Sequence, residues 1–318
     1  MKELRRSLYW AAGVVAIWLV LCAIAGSVAA EWALHPARLA LTSNDEKQAA
    51  AIAENHRATF RQVEIAASDG AILRAWFMRP TQGNGDAVIL LHGVASNRAG
   101  MLGPADTLLR HGYSVLLPDA RAQGMSGGDL ATYGFLEAGD LQQWFNWLAQ
   151  KQSSHCIDAI GESMGAAQLL SSLKTDRGFC AVAAESSLAS FREASNVRIG
   201  EWFGTGPWLG RTLLRPLVES GILYARWKYD VDLAQVDPAQ AVAASSVPVL
   251  LIHGLADNNM PPYNSERILA ASRGHNAKVL LWEPPDAGHC GAMGAEPEEF
   301  ERRVIAWFEG HHSAPESR

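Results

Sequence analysis

The run Gly161-Glu162-Ser163-Met164-Gly165 sets one hydroxyl between two glycines. An apolar run, Cys156–Ile160, comes directly before it, and a helical run, Met164–Lys174, directly after. A strand-to-helix turn this tight forces its central residue into a strained conformation, and flanking glycines let neighbouring backbone pass without a Cβ clash. Five-residue patterns occur by chance, so the candidate nucleophile Ser163 needs partners: a base to take its proton and a carboxylate to orient that base. Downstream, Val249–Ile252 runs into His253-Gly254 and a loop carrying Asp257, and Val279–Trp282 is followed by the loop Glu283–Gly288 and then His289. Ser163, Asp257 and His289 are separated by 94 and 32 residues, and each lies just beyond the end of an apolar run, where a parallel sheet gathers its active site. Asp286, on the histidine's own loop, is the rival acid. Upstream, Val88–Leu91 enters His92-Gly93-Val94, so the N–H groups of Val94 and Met164 are candidate donors to a developing oxyanion. His92 is expected to bond backbone in that turn.

The elements that must position these residues follow from texture. Short apolar runs recur at Val63–Ala67, Leu73–Met78, Val88–Leu91, Val115–Leu117, Ile157–Ile160, Cys180–Ala184, Val249–Ile252 and Val279–Trp282. From the third onward most are separated by helix-length segments, about Arg98–His111, Leu136–Gln150, Met164–Lys174, Tyr263–Arg273 and Glu296–Gly310. Buried strands alternating with helices predict a mostly parallel sheet covered on both faces. The first two runs are joined by Ser68-Asp69-Gly70, which predicts an antiparallel hairpin at the sheet's edge. About residues 187–246 break the alternation with Trp202, Gly204, Gly206, Pro207, Trp208 and Trp227, and read as an inserted helical lid.

Of 318 residues, 48% are apolar, and 27 basic residues face 33 acidic ones for a net charge of −6. This composition excludes a disordered chain and a basic nucleic-acid binder. Charge is unevenly placed. Lys2, Arg5 and Arg6 oppose only Glu3 near the start, Ser7–Ala30 carries no charge, and residues 31–318 hold 24 basic and 32 acidic residues. Leu8–Ala30, as a helix of 23 residues, spans about 35 Å and so crosses a hydrocarbon core. Under the positive-inside rule the body is exported, with residues 1–30 as a single-pass anchor. Cleavage after Val28-Ala29-Ala30, which would secrete the body, is the alternative. Residues 31–59, Ala-rich with breaks at Asn44-Asp45, read as a helical connector, and 60–312 as the main domain.

Over residues 60–310 the chain resembles the alpha/beta-hydrolases. The matching elements are His92-Gly-Val, Pro118-Asp119-Ala-Arg121-Ala-Gln-Gly124-Met-Ser126, Gly161-Glu-Ser163-Met-Gly165, His253-Gly-Leu-Ala-Asp257 and Ala287-Gly-His289. It is similar to exported, membrane-anchored serine hydrolases related to monoacylglycerol lipases and to the prolyl-aminopeptidase-like branch. The resemblance implies an α/β fold with a mostly parallel eight-stranded sheet flanked by helices, nucleophile Ser163, acid Asp257, base His289, oxyanion donors Val94 and Met164, and no cofactor. Ala122 departs from it, since relatives carry glycine after the arginine of the Asp119 turn.

No His-x₃-His or Cys-x₂-Cys spacing supports a metal site, and His311-His312 is a pair on the polar tail 311–318, which is expected to fray. Cys156 and Cys180 precede strands expected to lie side by side in an exported body, so they are a candidate disulfide pair, with two buried thiols as the other reading. Cys22 lies in the membrane segment, and Cys290 reads as a pocket wall. The apolar lid and tether favour a carboxylic-ester hydrolase acting on lipid-like or acyl substrates. The alternative is a serine peptidase trimming short peptides, with Glu193, Glu201 or Glu219 holding the substrate amine. A silent, tethered binding module is disfavoured because no triad member is missing.

Overall fold

The computed structural model describes residues 2–152, 154–175 and 178–312. Eight strands form one sheet: β1 (Ala58–Ala66), β2 (Ile72–Pro80), β3 (Ala87–Leu91), β4 (Ser114–Pro118), β5 (Ile157–Glu162), β6 (Val182–Glu185), β7 (Val249–Ile252) and β8 (Val279–Trp282). The α-helices are α1 (Lys2–Leu34), α2 (Ser43–Asn55), α3 (Leu102–Arg110), α4 (Glu137–Gln152), α5 (Met164–Ser172), α6 (Phe191–Trp202), α7 (Pro207–Arg211), α8 (Arg215–Tyr229), α9 (Pro238–Ala244), α10 (Tyr263–Ser272), α11 (Ala292–Ala295) and α12 (Pro297–Glu309). The strand order is β1-β2-β4-β3-β5-β6-β7-β8. The β1–β2 hairpin is antiparallel at one edge, β2 meets β4 antiparallel, and every other pairing is parallel, as expected from the alternation of strands and helices.

Successive strand residues point to opposite faces, so one apolar run feeds two cores. From β3, Val88 and Leu90 join a core with Ala105 and Leu108 of α3 and Phe300, Val304 and Phe308 of α12. On the other face Ala87, Ile89 and Leu91 share a core with Leu141 and Trp144 of α4 and Leu169 and Leu170 of α5. Both faces are therefore covered, which is what a parallel sheet requires. A capping box starts α2, with the Thr42 Oγ1 accepting from the Asp45 N–H and the Asp45 carboxylate accepting from the Thr42 N–H. Cys156 and Cys180 form a disulfide, their Cα atoms 5.7 Å apart.

The expected fraying of the tail is not seen at His311 and His312. The His312 Nε2 lies 2.7 Å from the Asp158 carboxylate, and residues 313–318 lie outside the described residues.

The described residues divide into two compact units. One comprises 36–189 and 237–312 and holds the sheet; the other comprises 2–35 and 190–236 and holds α1, α6, α7 and α8. Within the second, α1 packs along α8. A Cβ on Gly221 would fall 2.8 Å from the Gly26 carbonyl oxygen, so the two backbones approach as only glycines allow. At 33 residues α1 is long and apolar enough to cross a membrane, a test that an N-terminal signal sequence also passes.

Candidate active site

β5 ends at Glu162 and α5 begins at Met164, leaving Ser163 alone to make the turn at φ 52°, ψ −113°. Both glycines of the motif are required by close backbone. A Cβ on Gly161 would lie 2.7 Å from the Ala166 nitrogen, and one on Gly165 would lie 2.7 Å from the His92 carbonyl oxygen. The Ser163 N–H donates to the Glu185 carbonyl at 2.9 Å, tying the turn to β6.

Ser163 Oγ lies 2.9 Å from His289 Nε2, and His289 Nδ1 lies 2.8 Å from Asp257 Oδ2. The rival Asp286 is exposed, and it is Asp257 that meets the imidazole. The other Asp257 oxygen accepts from the N–H groups of Asn259 and Met260 at 2.9 and 2.8 Å. Burial pushes the Asp257 carboxyl up, but hydrogen bonds from His253, His289 and Met260 outweigh it and hold the group well below the usual carboxylate range. His253 is itself fixed. Its Nε2 lies 2.6 Å from the Met260 carbonyl oxygen and must donate there, so its Nδ1 accepts from the Ser265 hydroxyl at 2.7 Å.

Met164 is the first residue of α5, where no carbonyl lies four residues back to take its N–H. Val94 follows the loop at the end of β3, and a Cβ on Gly93 would make ordinary contact with the Ser163 Cβ at 3.4 Å. His92 bonds backbone as expected: its Nδ1 donates to the Gly93 carbonyl at 2.7 Å and its Nε2 accepts from the Ala120 N–H at 3.1 Å. Burial keeps this imidazole neutral.

Ala122 lies at φ 57°, the left-handed region that favours glycine, which gives its departure from the family pattern a physical meaning. Beside it, buried Asp119 accepts from the Arg98 guanidinium at 2.8 Å and from the Met125 N–H at 2.7 Å. Arg121 grips Asp140 with two bonds of 2.7 Å.

Two carboxylates behind the turn escape a reading of the sequence. Glu162 and Glu185 are register partners at the ends of β5 and β6. Burial, then repulsion from Glu185, pushes Glu162 up to about 8, and burial pushes Glu185 up to about 7. Glu162 stands inside the motif around Ser163, but only the sheet order brings Glu185 beside it. The same burial pushes the Cys290 thiol up, so it stays protonated.

The model of the alpha/beta hydrolase family matches residues 88–303, more than half of the chain. The chain belongs to the alpha/beta hydrolase family. This hydrolase is 28% identical over 198 residues to the uncharacterized protein YqkD of Bacillus subtilis (strain 168), covering 61% of this chain and 63% of that one, so it spans somewhat under two thirds of that relative's length. Among solved structures, the Pyrococcus furiosus esterase Pf2001 is similar at a TM-score of 0.67 and 25% identity, over 87% of this chain and all of that one. A Pyrococcus horikoshii acylaminoacyl peptidase is similar in fold at a TM-score of 0.60 and 16% identity, over 82% of this chain and 43% of that one.

Proposed function

We propose that this hydrolase cleaves carboxylic esters of lipid-like or acyl character through an acyl-enzyme on Ser163, at a membrane to which α1 anchors it. The observation that carries the reading is the hydrogen-bonded chain from Ser163 through His289 to Asp257. As Ser163 Oγ attacks the acyl carbonyl, His289 Nε2 takes its proton and Asp257 stabilises the resulting imidazolium. Backbone N–H groups of Val94 and Met164 receive the oxyanion, and the helix N-terminus at Met164 adds a favourable field. His289 then protonates the leaving alcohol, and a water activated by the same imidazole attacks the acyl-enzyme, freeing the acid and restoring the serine hydroxyl.

Two observations favour an ester over a peptide terminus. The likeness to the Pf2001 esterase reaches 25% identity, whereas that to the acylaminoacyl peptidase is one of fold. The carboxylates that would hold a substrate amine are paired inside their own unit: Glu193 with Arg211, Glu201 with Arg198, and Glu219 with Arg192. A silent scaffold has no use for a strained serine bonded to an oriented imidazole.

A fluorophosphonate probe is expected to label wild type at Ser163, and Ser163→Ala to lose labelling together with about 10⁵-fold of ester turnover while its melting temperature stays put. Across p-nitrophenyl esters and aminoacyl nitroanilides, turnover of the amides alone would overturn the ester reading, and near-wild-type activity in Ser163→Ala would overturn the nucleophile.

A further inference from the structure

The loop that carries His289 is held differently on its two sides. Before the histidine, the carbonyls of Pro284 and Ala287 accept from the N–H groups of Leu255 and Ala256, each at 3.0 Å. These bonds run from backbone to backbone, and any donor residue but proline can supply them. Past the histidine, the Cys290 N–H donates to Ser186 Oγ at 3.1 Å and the Ala292 N–H to Glu185 Oε1 at 2.8 Å. Here two side chains at the end of β6 hold the loop, so on this side its position depends on residue type.

Both side chains are buried, and their own backbone is pinned. The Glu185 carbonyl accepts the Ser163 N–H and the Ser186 N–H donates to the Ile252 carbonyl, each at 2.9 Å. Glu185 thus meets the turn of the serine with its main chain and the loop of the histidine with its carboxylate. Ser186 lies at φ 55° and Cys290 at φ 50°, two non-glycine residues in the left-handed region that are bonded to each other. Such conformations persist only where the surroundings over-determine them, and they gather where geometry serves function. We propose that Glu185 and Ser186 are positioning residues, a seat that sets the His289 imidazole at its 2.9 Å from Ser163 Oγ. This rests on the reading of Ser163 as nucleophile and deepens it, since one corner of β6 fixes the nucleophile and its base together. A misplacement of about 1 Å in such a pair costs on the order of 100-fold in rate, and losing one of two tethers should cost a part of that.

The test compares three full-length variants below their melting transitions. Glu185→Met keeps the length of the side chain but offers only a weak thioether acceptor, Glu185→Gln keeps an accepting oxygen, and Ser186→Ala deletes one hydroxyl. A fluorophosphonate probe reports attack by Ser163 whatever acyl group the enzyme prefers, and p-nitrophenyl butyrate separates kcat from KM. Glu185→Met and Ser186→Ala are each expected to slow labelling and lower kcat by about tenfold, with KM within about twofold of wild type. Glu185→Gln is expected to recover both rates to within about threefold. Wild-type rates in Glu185→Met or Ser186→Ala, a rise in KM alone, or Glu185→Gln as slow as Glu185→Met would each overturn the seat and leave the nucleophile standing. If Glu185→Met does not fold, Ser186→Ala decides by itself. Labelling without ester turnover would sink the ester reading, and the labelling rates would still decide the seat. A wild-type enzyme that does not label would overturn the nucleophile and the seat with it.

Discussion

Ser163 at φ 52° and Ala122 at φ 57° are both non-glycine residues in the left-handed region, each at a corner of the sheet-bearing unit, and they differ in what the strained residue does. At the first, neighbouring backbone excludes any side chain from Gly161 and Gly165, and the serine hydroxyl meets His289. At the second, Ala122 donates its N–H to the Gly127 carbonyl and its own carbonyl accepts from Arg38, while its methyl offers no chemistry. Strain at one corner aims a hydroxyl at an imidazole; at the other it only closes a turn.

The largest break in that comparison removes the carboxylate behind the imidazole that the strained serine meets. Asp257→Asn is expected to lower kcat/KM for an ester by about 10³- to 10⁴-fold, because the amide no longer stabilises an imidazolium or fixes the tautomer of His289. Steady-state kinetics check it, and a loss below tenfold would mean another group orients the base. Next in size is Gly165→Ala, whose new methyl would collide with the Leu91 and His92 backbone. It should destabilise the fold by about 3 kcal/mol, read as a fall in denaturation midpoint. An unchanged midpoint would show that the turn has room to relax.

Much of this is legible in the sequence because it is local. Short, mostly apolar runs mark the eight strands, and the glycines around Ser163 mark the turn. β1 begins earlier than its apolar run, at Ala58, since Arg61, Gln62 and Glu64 are tolerated on an exposed edge strand. The pairing of Glu162 with Glu185 is invisible there because it depends on which strands become neighbours. The seating of α8 on α1 is invisible for the same reason: Gly26 and Gly221 carry no mark of each other.

That buried acid pair sets a pH dependence on the corner that carries the serine. Both carboxyls have an ordinary value near 4.5 and are raised in the fold, Glu185 to about 7 and Glu162 to about 8. Between those limits the folded state binds more protons than the unfolded chain, so stability falls as pH rises from about 5 to about 8. The titratable groups facing the pair are Asp257, His253 and His289, with the Cys290 thiol beside it. Glu162→Gln should flatten this fall by on the order of 2 kcal/mol, seen in denaturation midpoints taken at pH 5 and pH 8. Identical slopes in both proteins would place the titration elsewhere.

The smallest effect sharpens the comparison most. Glycine at either strained position accepts φ near 55° without a Cβ clash, so Ala122→Gly and Ser163→Gly should each relieve local strain. Against that gain stands the greater freedom glycine gives the unfolded chain, which leaves a net stabilisation of about 0.5–1 kcal/mol at each site. Thermal melts should then move upward together while activity parts company: Ala122→Gly keeps ester turnover, and Ser163→Gly loses it. A destabilised Ala122→Gly would mean that the methyl is held by packing in the Asp119 turn, and the alanine there would be a structural choice in its own right.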